Sequence, residues 1–264
     1  MEIEKYTLYL VTTPIGNLSD MTPRAVEVLS KVDFVACEDT RVGGALLSHF
    51  GIKKPLISYF EHNKRDRGET IAARILAGES CAMVSDAGTP AISDPGEDLA
   101  ALCREKGIRV SPIPGVSALI TALSASGMPS GRFCFEGFLS VNKKSRREHL
   151  ASLAGERRTM IFYEAPHKLR TTLSDLYQAF GDREIVLARE LTKIHEEFIH
   201  TTLLEAQSLY ETVSPKGEFV LILRGDESEE EKPLSRNERY RRKLREKADA
   251  AGEEEEAKEE NGAC

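Results

Sequence analysis

The 264-residue sequence predicts an α/β fold, and three observations predict it. Short apolar, strand-like runs alternate with helical periodicity along the chain, the pattern of layered α/β proteins. Two of these runs lead into glycine- and proline-rich turns, TTPIGNLSDMTPRA (12–25) and SDAGTPAISDPG (85–96). Such a turn sets unhindered backbone N–H groups and a carboxylate at the C-terminal end of a strand, where open α/β sheets hold ligands. Hydrophobic residues make up 41% of the chain, yet no apolar run reaches the roughly 18–20 residues of a membrane helix. The composition is that of a soluble globular chain with a substantial core.

The elements follow in order. YTLYLV (6–11) is an apolar run leaving into the first turn and places a strand at 6–12. Further strands are predicted at 33–37, 55–58, 81–85, where CAMV reads as buried, and 109–112. Helical periodicity fills the intervals at 22–31, 40–49, 66–77 and 96–106, the last ended by Gly107. SPIPGVSALITALSASG (111–127) marks a boundary: Pro112 and Pro114 fix φ and stiffen a connector, and a helix of small residues follows. The second half reads as strands at 132–137, 158–163, 184–189, 196–202 and 218–224, with helices near 145–153, 168–179 and 203–212. From Asp226 the composition changes to DESEEEK, a basic run RNERYRRKLREK (236–247) and GEEEEAKEE. With almost no apolar residues to bury, this tail is expected to be disordered, its basic run either paired with the flanking glutamates or helical on an acidic partner. The expected division is 1–113, 114–225 and a tail, 226–264.

Of 43 acidic and 36 basic residues, the tail holds 14 and 9. The body is therefore nearly neutral, and any nucleic-acid contact must come from local patches. KKSRRE (143–148) with Arg157 and Arg158, and NKRDR (63–67), are the candidates, although solvated helix faces commonly carry such clusters. Five cysteines without CxxC spacing argue against a disulfide framework and a structural zinc site, and predict a reducing, cytoplasmic compartment. The charged N-terminus MEIEKY has no secretory pattern. Neither GxxxxGK[ST] nor GxGxxG is present, which removes the common nucleotide-binding readings. HEEFIH (195–200) spaces its histidines five apart rather than four, on different helix faces, so no metal is expected there. Ser117 in GVSAL lacks the second glycine of a nucleophile elbow, which argues against a serine hydrolase.

What remains is polar residues at strand ends: CEDTR (37–41), YEAPHK (163–168), ARELTK (188–193) and PKGE (215–218). Each alone could be a cap or a salt bridge. On one sheet edge they converge on one cleft.

TPIGNLSDMTPRA, CEDTR, SDAGTPAISDPG, PIPGVSAL, FEGFL (135–139), FYEAPHKL and ARELTKIHEE together resemble the signature segments of the tetrapyrrole-methylase-fold methyltransferases, in the right order over roughly 6–225. More narrowly, they are similar to the branch that methylates the ribose 2′-hydroxyl of a cytidine in 16S ribosomal RNA of the 30S subunit. The resemblance implies two α/β domains with S-adenosylmethionine between them, a homodimer, and neither metal nor membrane. It implies cofactor contacts at Pro14, Asp86, Gly88, Thr89, Ile92, Ser93, Ser117, Ala118, Tyr163, Ala188 and, in the PKGE turn, Gly217. Lys168 stands where the family carries arginine, replacing a planar bidentate donor by a point charge.

The catalytic group stays open at this level. Glu164, which is preferred, or Glu190 could accept the hydroxyl proton; Asp39 with Arg41, or Lys193, could orient the ribose and phosphate. RNA is expected across the cleft mouth on Lys143, Lys144, Arg146 and Arg147. Two other readings compete: a tetrapyrrole or corrin methylase of the same fold, and a non-catalytic RNA-binding ribosome-assembly protein.

Overall fold

The computed structural model describes residues 2–228, and Met1–Asp226 pack as one compact unit. The basic run 236–247 and its glutamate-rich flanks lie outside the described residues. The chain opens with β1 (Thr7–Val11), α1 (Pro23–Lys31), β2 (Phe34–Cys37), α2 (Thr40–His49), β3 (Leu56–Ser58), α3 (Lys64–Leu76), β4 (Cys81–Val84), α4 (Gly96–Glu105) and β5 (Arg109–Ile113). These strands form a parallel sheet in the order β3-β2-β4-β1-β5.

Side chains of successive strand residues face opposite sides, and here both sides are covered. Tyr9, Val11, Val35, Cys37, Ala82 and Val84 pack with Ala25, Val28 and Leu29 of α1 and Leu47 of α2. Leu8, Phe34, Ala36, Cys81 and Met83 pack on the other face with Ile71, Ala72 and Ile75 of α3 and Leu99 and Cys103 of α4. Each fully buried aliphatic side chain contributes about 1.5–3 kcal/mol. All five strands point their C-terminal ends the same way, which is why the turns after β1, β2, β4 and β5 share one edge.

The second sheet begins after α5 (Ala118–Ala125) with β6 (Phe133–Phe138), α6 (Lys143–Ser152), β7 (Thr159–Glu164), α7 (Leu169–Phe180), β8 (Glu184–Arg189), β9 (Glu197–Thr202), α8 (Leu203–Thr212) and β10 (Phe219–Leu223). Its order is β6-β7-β10-β8-β9, with β6 and β7 parallel and the remaining pairs antiparallel. Met160, Phe162, Ile185, Leu187 and Leu221 pack against α7 and α8. Ile161, Val186, Ala188, Val220 and Ile222 pack against Leu119, Ala122 and Leu123 of α5, joined by Ile15 from the turn after β1. That last cluster ties the two sheets together. The division expected at 113/114 falls between β5 and α5.

The predicted elements are all present, with differences at their ends. α6 starts at Lys143 rather than 145 because Asn142 caps it, accepting from Lys144 N and Ser145 N at 3.0 and 3.1 Å. Pro112, read as part of a connector, sits within β5, an outer strand that accommodates the missing N–H. The short 3₁₀ turn Leu18–Asp20 and a β-bulge in β6 between Phe135 and Gly137 were not predicted. HEEFIH enters strand β9, and among the described residues no cluster of His, Cys, Asp and Glu could hold a metal ion. No helix among them is long and apolar enough to cross a membrane.

Candidate functional site

Three turns of the parallel sheet are tied together at its C-terminal edge. Thr13 N donates to Gly88 O at 2.9 Å and Gly88 N donates to Thr13 O at 3.1 Å, a bridge between the turns after β1 and β4. Thr12 Oγ1 donates to Thr89 Oγ1 at 3.3 Å, and Thr89 Oγ1 donates to Val116 O at 3.4 Å, adding the segment after β5. Within the 85–96 turn, Asp94 Oδ1 accepts from Ala91 N and Gly96 N at 2.8 and 2.7 Å. Ala91 and Ser93 take φ of 72° and 64°, which cost non-glycine residues about 1–3 kcal/mol each. The turn is therefore held in one shape by its own bonds. Part of its polar capacity is used in doing so: the Gly88 N–H, expected to be open to a ligand, is occupied by Thr13.

A cleft of about 480 Å³ opens between this turn and the second sheet, within the size range of small-molecule sites. Ile15, Glu38, Ser85 and residues 87–89 and 92–94 line it from the first sheet, Ser117 and Ala118 from the start of α5. Phe138, Tyr163 to Pro166, Ala188, Leu191 and Glu218 to Val220 line it from the second. Among the residues expected there, Gly88, Thr89, Ile92, Ser93, Ser117, Ala118, Tyr163, Glu164 and Ala188 are brought together.

Pro14, Asp86 and Gly217, also expected at the site, are not among the lining residues. Ile15 and Glu218 take the places of Pro14 and Gly217, whose neighbours they are. Asp86 turns toward the end of β2, where its Oδ1 accepts from Asp39 N at 3.3 Å. Sequence reasoning did not single out Glu38, Asp94 or Phe138, and reached Glu218 only as part of the PKGE turn. Glu38 stands inside the CEDTR string, and the eye goes to its neighbour Asp39 because Arg41 pairs with it.

The acidic groups differ in environment. Burial pushes the Glu38 carboxyl above its ordinary range, and the charges of Asp86 and Asp94 push it further. Burial likewise raises Asp94 against the two N–H groups it accepts from. Asp39 is held at about 2 by the Arg41 guanidinium, which grips it from 2.5 to 3.1 Å, and it also caps α2 through Arg41 N. This pair lies outside the cleft lining. Glu164 is 4% exposed; one oxygen accepts from Ala165 N at 2.7 Å and the other from the Thr172 hydroxyl. The preferred proton acceptor of the sequence analysis thus faces the cleft with both oxygens already anchored.

Glu190, Lys193 and Glu218 form a second group, of which Glu218 lines the cleft while Glu190 and Lys193 stand behind it, outside the lining. Lys193 Nζ lies 2.9 Å from both Glu190 Oε1 and Glu218 Oε2, and Glu190 Oε1 also accepts from Glu218 N at 2.9 Å. That backbone bond, followed by the Lys193 ammonium, lowers the Glu190 carboxyl. Burial works against the Lys193 charge, but the bonds to Glu218 and Glu190 outweigh it and raise the ammonium. Glycine at 217, with φ of 84°, leaves room for the Glu190 side chain. At neutral pH the group is therefore a fixed cation between two carboxylates.

The basic patch divides. Lys143, Lys144 and Arg147 are exposed along the first turns of α6. Arg146 is not available: its Nε donates to Asp175 Oδ2 at 2.7 Å and its NH1 to the carbonyls of Ser140 and Val141, in a buried pair. The expected RNA contact at Arg146 is corrected to a tie between α6 and α7. In the 63–67 patch, Lys64 is paired with Glu61 and Asp98.

The cleft fits the cofactor that the resemblance implies. Small side chains at Ala87, Gly88, Ala118, Ala165 and Ala188 allow close approach, Ser93 and Ser117 offer hydroxyls, and Glu38 offers a carboxyl to an ammonium. Ser117 makes no capping bond of its own to α5, so its hydroxyl is not used there.

The family model of the tetrapyrrole (corrin/porphyrin) methylases matches residues 7–207. A protein of Synechocystis sp. named ribosomal RNA small subunit methyltransferase I is 53% identical over 239 residues, 90% of this chain and 85% of that one. The Haemophilus influenzae protein of the same name is 50% identical over 221 residues, 83% of this chain and 78% of that one. The fold is similar to that of uroporphyrin-III C-methyltransferase from Thermus thermophilus complexed with S-adenosylhomocysteine, with a TM-score of 0.59, 19% identity, and coverage of 83% of this chain and 97% of that one.

Proposed function

This chain belongs to the tetrapyrrole (corrin/porphyrin) methylase family, and on that premise we propose that it transfers a methyl group from S-adenosylmethionine to the ribose 2′-hydroxyl of a cytidine in 16S ribosomal RNA. The observation that carries the reading is the 53% identity over 90% of the chain to a protein named as a small-subunit ribosomal RNA methyltransferase. It acts on the 30S subunit in the cytoplasm, as a homodimer. Residues 1–113 and 114–225 both contribute to the cleft.

The bound cofactor supplies a methyl group on a sulfonium, activated for in-line displacement by oxygen. The protein's part is alignment and exclusion of water. The 87–93 turn and Ser117–Ala118 form one wall of the binding surface, with Glu38 opposite a cationic group. Tyr163, Ala188, Leu191 and Val220 supply the apolar wall. Lys193, kept protonated by Glu190 and Glu218, can donate but not accept, which suits it to orient the ribose and its phosphate. Asp39 holds Arg41 at the rim for the same purpose. Each Glu164 oxygen retains a lone pair after its internal bond, so this carboxylate receives the hydroxyl proton as the new bond forms.

An assay with methyl-labelled cofactor, offering unmethylated 30S subunits and tetrapyrroles side by side, tests the reading. Label is expected in 2′-O-methylcytidine of the ribosomal RNA. Label in the macrocycle alone, or none in RNA, would contradict it.

A further inference from the structure

The bulge in β6 has a geometric effect on the residue that follows it. Along an unbroken strand, Phe133 and Phe135 would face one side and Phe138 the other. Glu136 is the extra residue: Phe135 pairs with Ile161, Gly137 with Phe162, and Phe138 with Tyr163. The insertion puts Phe138 on the same face as Phe135 and Tyr163, at the cleft, while Leu139 turns into the core behind it. Glycine is required at the bulge. Its φ is 64°, and a Cβ there would lie 3.1 Å from Ser93 Oγ of the opposite turn.

Phe138 is 53% exposed although it lines the cleft. It stands in an inclined, edge-type contact with Tyr163, with ring centroids 5.5 Å apart and planes at 61°. Tyr163 is itself fixed, packed on Phe135 at 4.9 Å and accepting from Leu119 N through its hydroxyl at 3.2 Å. The Phe138 ring is therefore braced by Tyr163 and exposed over about half its surface. Five residues further on, α6 begins with Lys143, Lys144 and Arg147, and no acidic residue stands in its first turn. Cations at a helix N-terminus oppose its dipole by about 0.3–1 kcal/mol each, so this arrangement is unfavourable for the helix and leaves three exposed cations one short loop along the chain from the ring, Lys144 lying 3.9 Å from Glu148. An aromatic face next to a cationic track is complementary to a single-stranded nucleic acid.

We propose that Phe138 is the platform on which the target nucleobase stacks when its nucleotide leaves the RNA strand, with Lys143, Lys144 and Arg147 holding the flanking phosphates. The inference rests on the RNA methyltransferase reading and adds to it a residue that selects an unstacked base.

The test compares wild type with Phe138→Ala, Phe138→Leu, Phe138→Tyr and Phe138→Trp on unmethylated 30S subunits, with S-adenosylmethionine affinity measured by calorimetry in parallel. Loss of a base stack corresponds to about 1–3 kcal/mol, or roughly 5- to 150-fold. Both Ala and Leu variants are expected to lose kcat/KM on that scale with unchanged cofactor affinity, and Tyr is expected to restore it. The chain contains no tryptophan, so Phe138→Trp introduces a single reporter whose emission should be quenched when 30S subunits bind. A Leu variant as active as wild type, a fall in cofactor affinity matching the fall in kcat/KM, or unquenched tryptophan emission would overturn the platform. In each of these cases wild type still labels the RNA, which separates this failure from failure of the methyltransferase reading.

Discussion

At the scale of single residues, the site's character is set by how much of each carboxylate the fold has already used. Asp39, Glu164 and Glu190 were legible in the sequence because they stand at strand ends beside cations or prolines. The Asp39–Arg41 pair, two residues apart, was legible as well; the bonds from Thr172 to Glu164 and from Glu218 N to Glu190 were not, since they reach across the fold. Glu38 is the opposite case, an unremarkable letter in CEDTR whose proton affinity burial and the charges of Asp86 and Asp94 raise. Its folded-state affinity for protons exceeds that of the unfolded chain, so its contribution to stability is fullest below the ordinary carboxylate value and declines as pH rises through the raised one. Glu38→Gln should therefore raise the melting temperature of the ligand-free protein at pH 7–8 and leave it unchanged near pH 3.5. A difference that is constant from pH 3.5 to 8 in thermal denaturation would contradict this account of Glu38.

Elements were the most readable scale, for a physical reason. CAMV, FVAC and FVLIL are buried on both faces, so continuous apolar runs mark them, and the turn after CAMV adds glycine and proline. Less legible were features that depend on one residue's direction. The lone glycine in FEGF was the available sign of the β6 bulge. In KKSRRE no local signal separates Arg146, which crosses to Asp175, from Arg147, which stays in solvent. The two arginines should consequently behave in opposite ways. Arg146→Ala leaves Asp175 buried without its partner and should cost about 3–5 kcal/mol, seen as a lower urea midpoint. Arg147→Glu should change stability by no more than about 0.5 kcal/mol, with little movement of that midpoint, while weakening 30S binding and flattening its dependence on salt. Equal losses of stability from both changes would show that α6 is held differently.

For the whole molecule, two sheets of different topology meet across one cluster, where Ile15 packs with α5 and with Ile161, Val186 and Val220. The cleft follows from that meeting: the parallel sheet contributes its tied turns, and the mixed sheet contributes a wall of aromatic, small and apolar residues. Alternating strands and helices made the two layers legible. Their mutual packing was not, because it rests on contacts such as Gly137 against Ser93 that join residues far apart in the chain. The central claim is that this cleft holds S-adenosylmethionine between the two sheets. The direct measurement is a calorimetric titration of wild type and of Ala118→Trp, which places a large side chain at the cleft wall, with urea melts confirming that both are folded. Wild type is expected to bind one cofactor per chain and the folded Ala118→Trp variant none. Equal binding by both, or none by wild type, would contradict it.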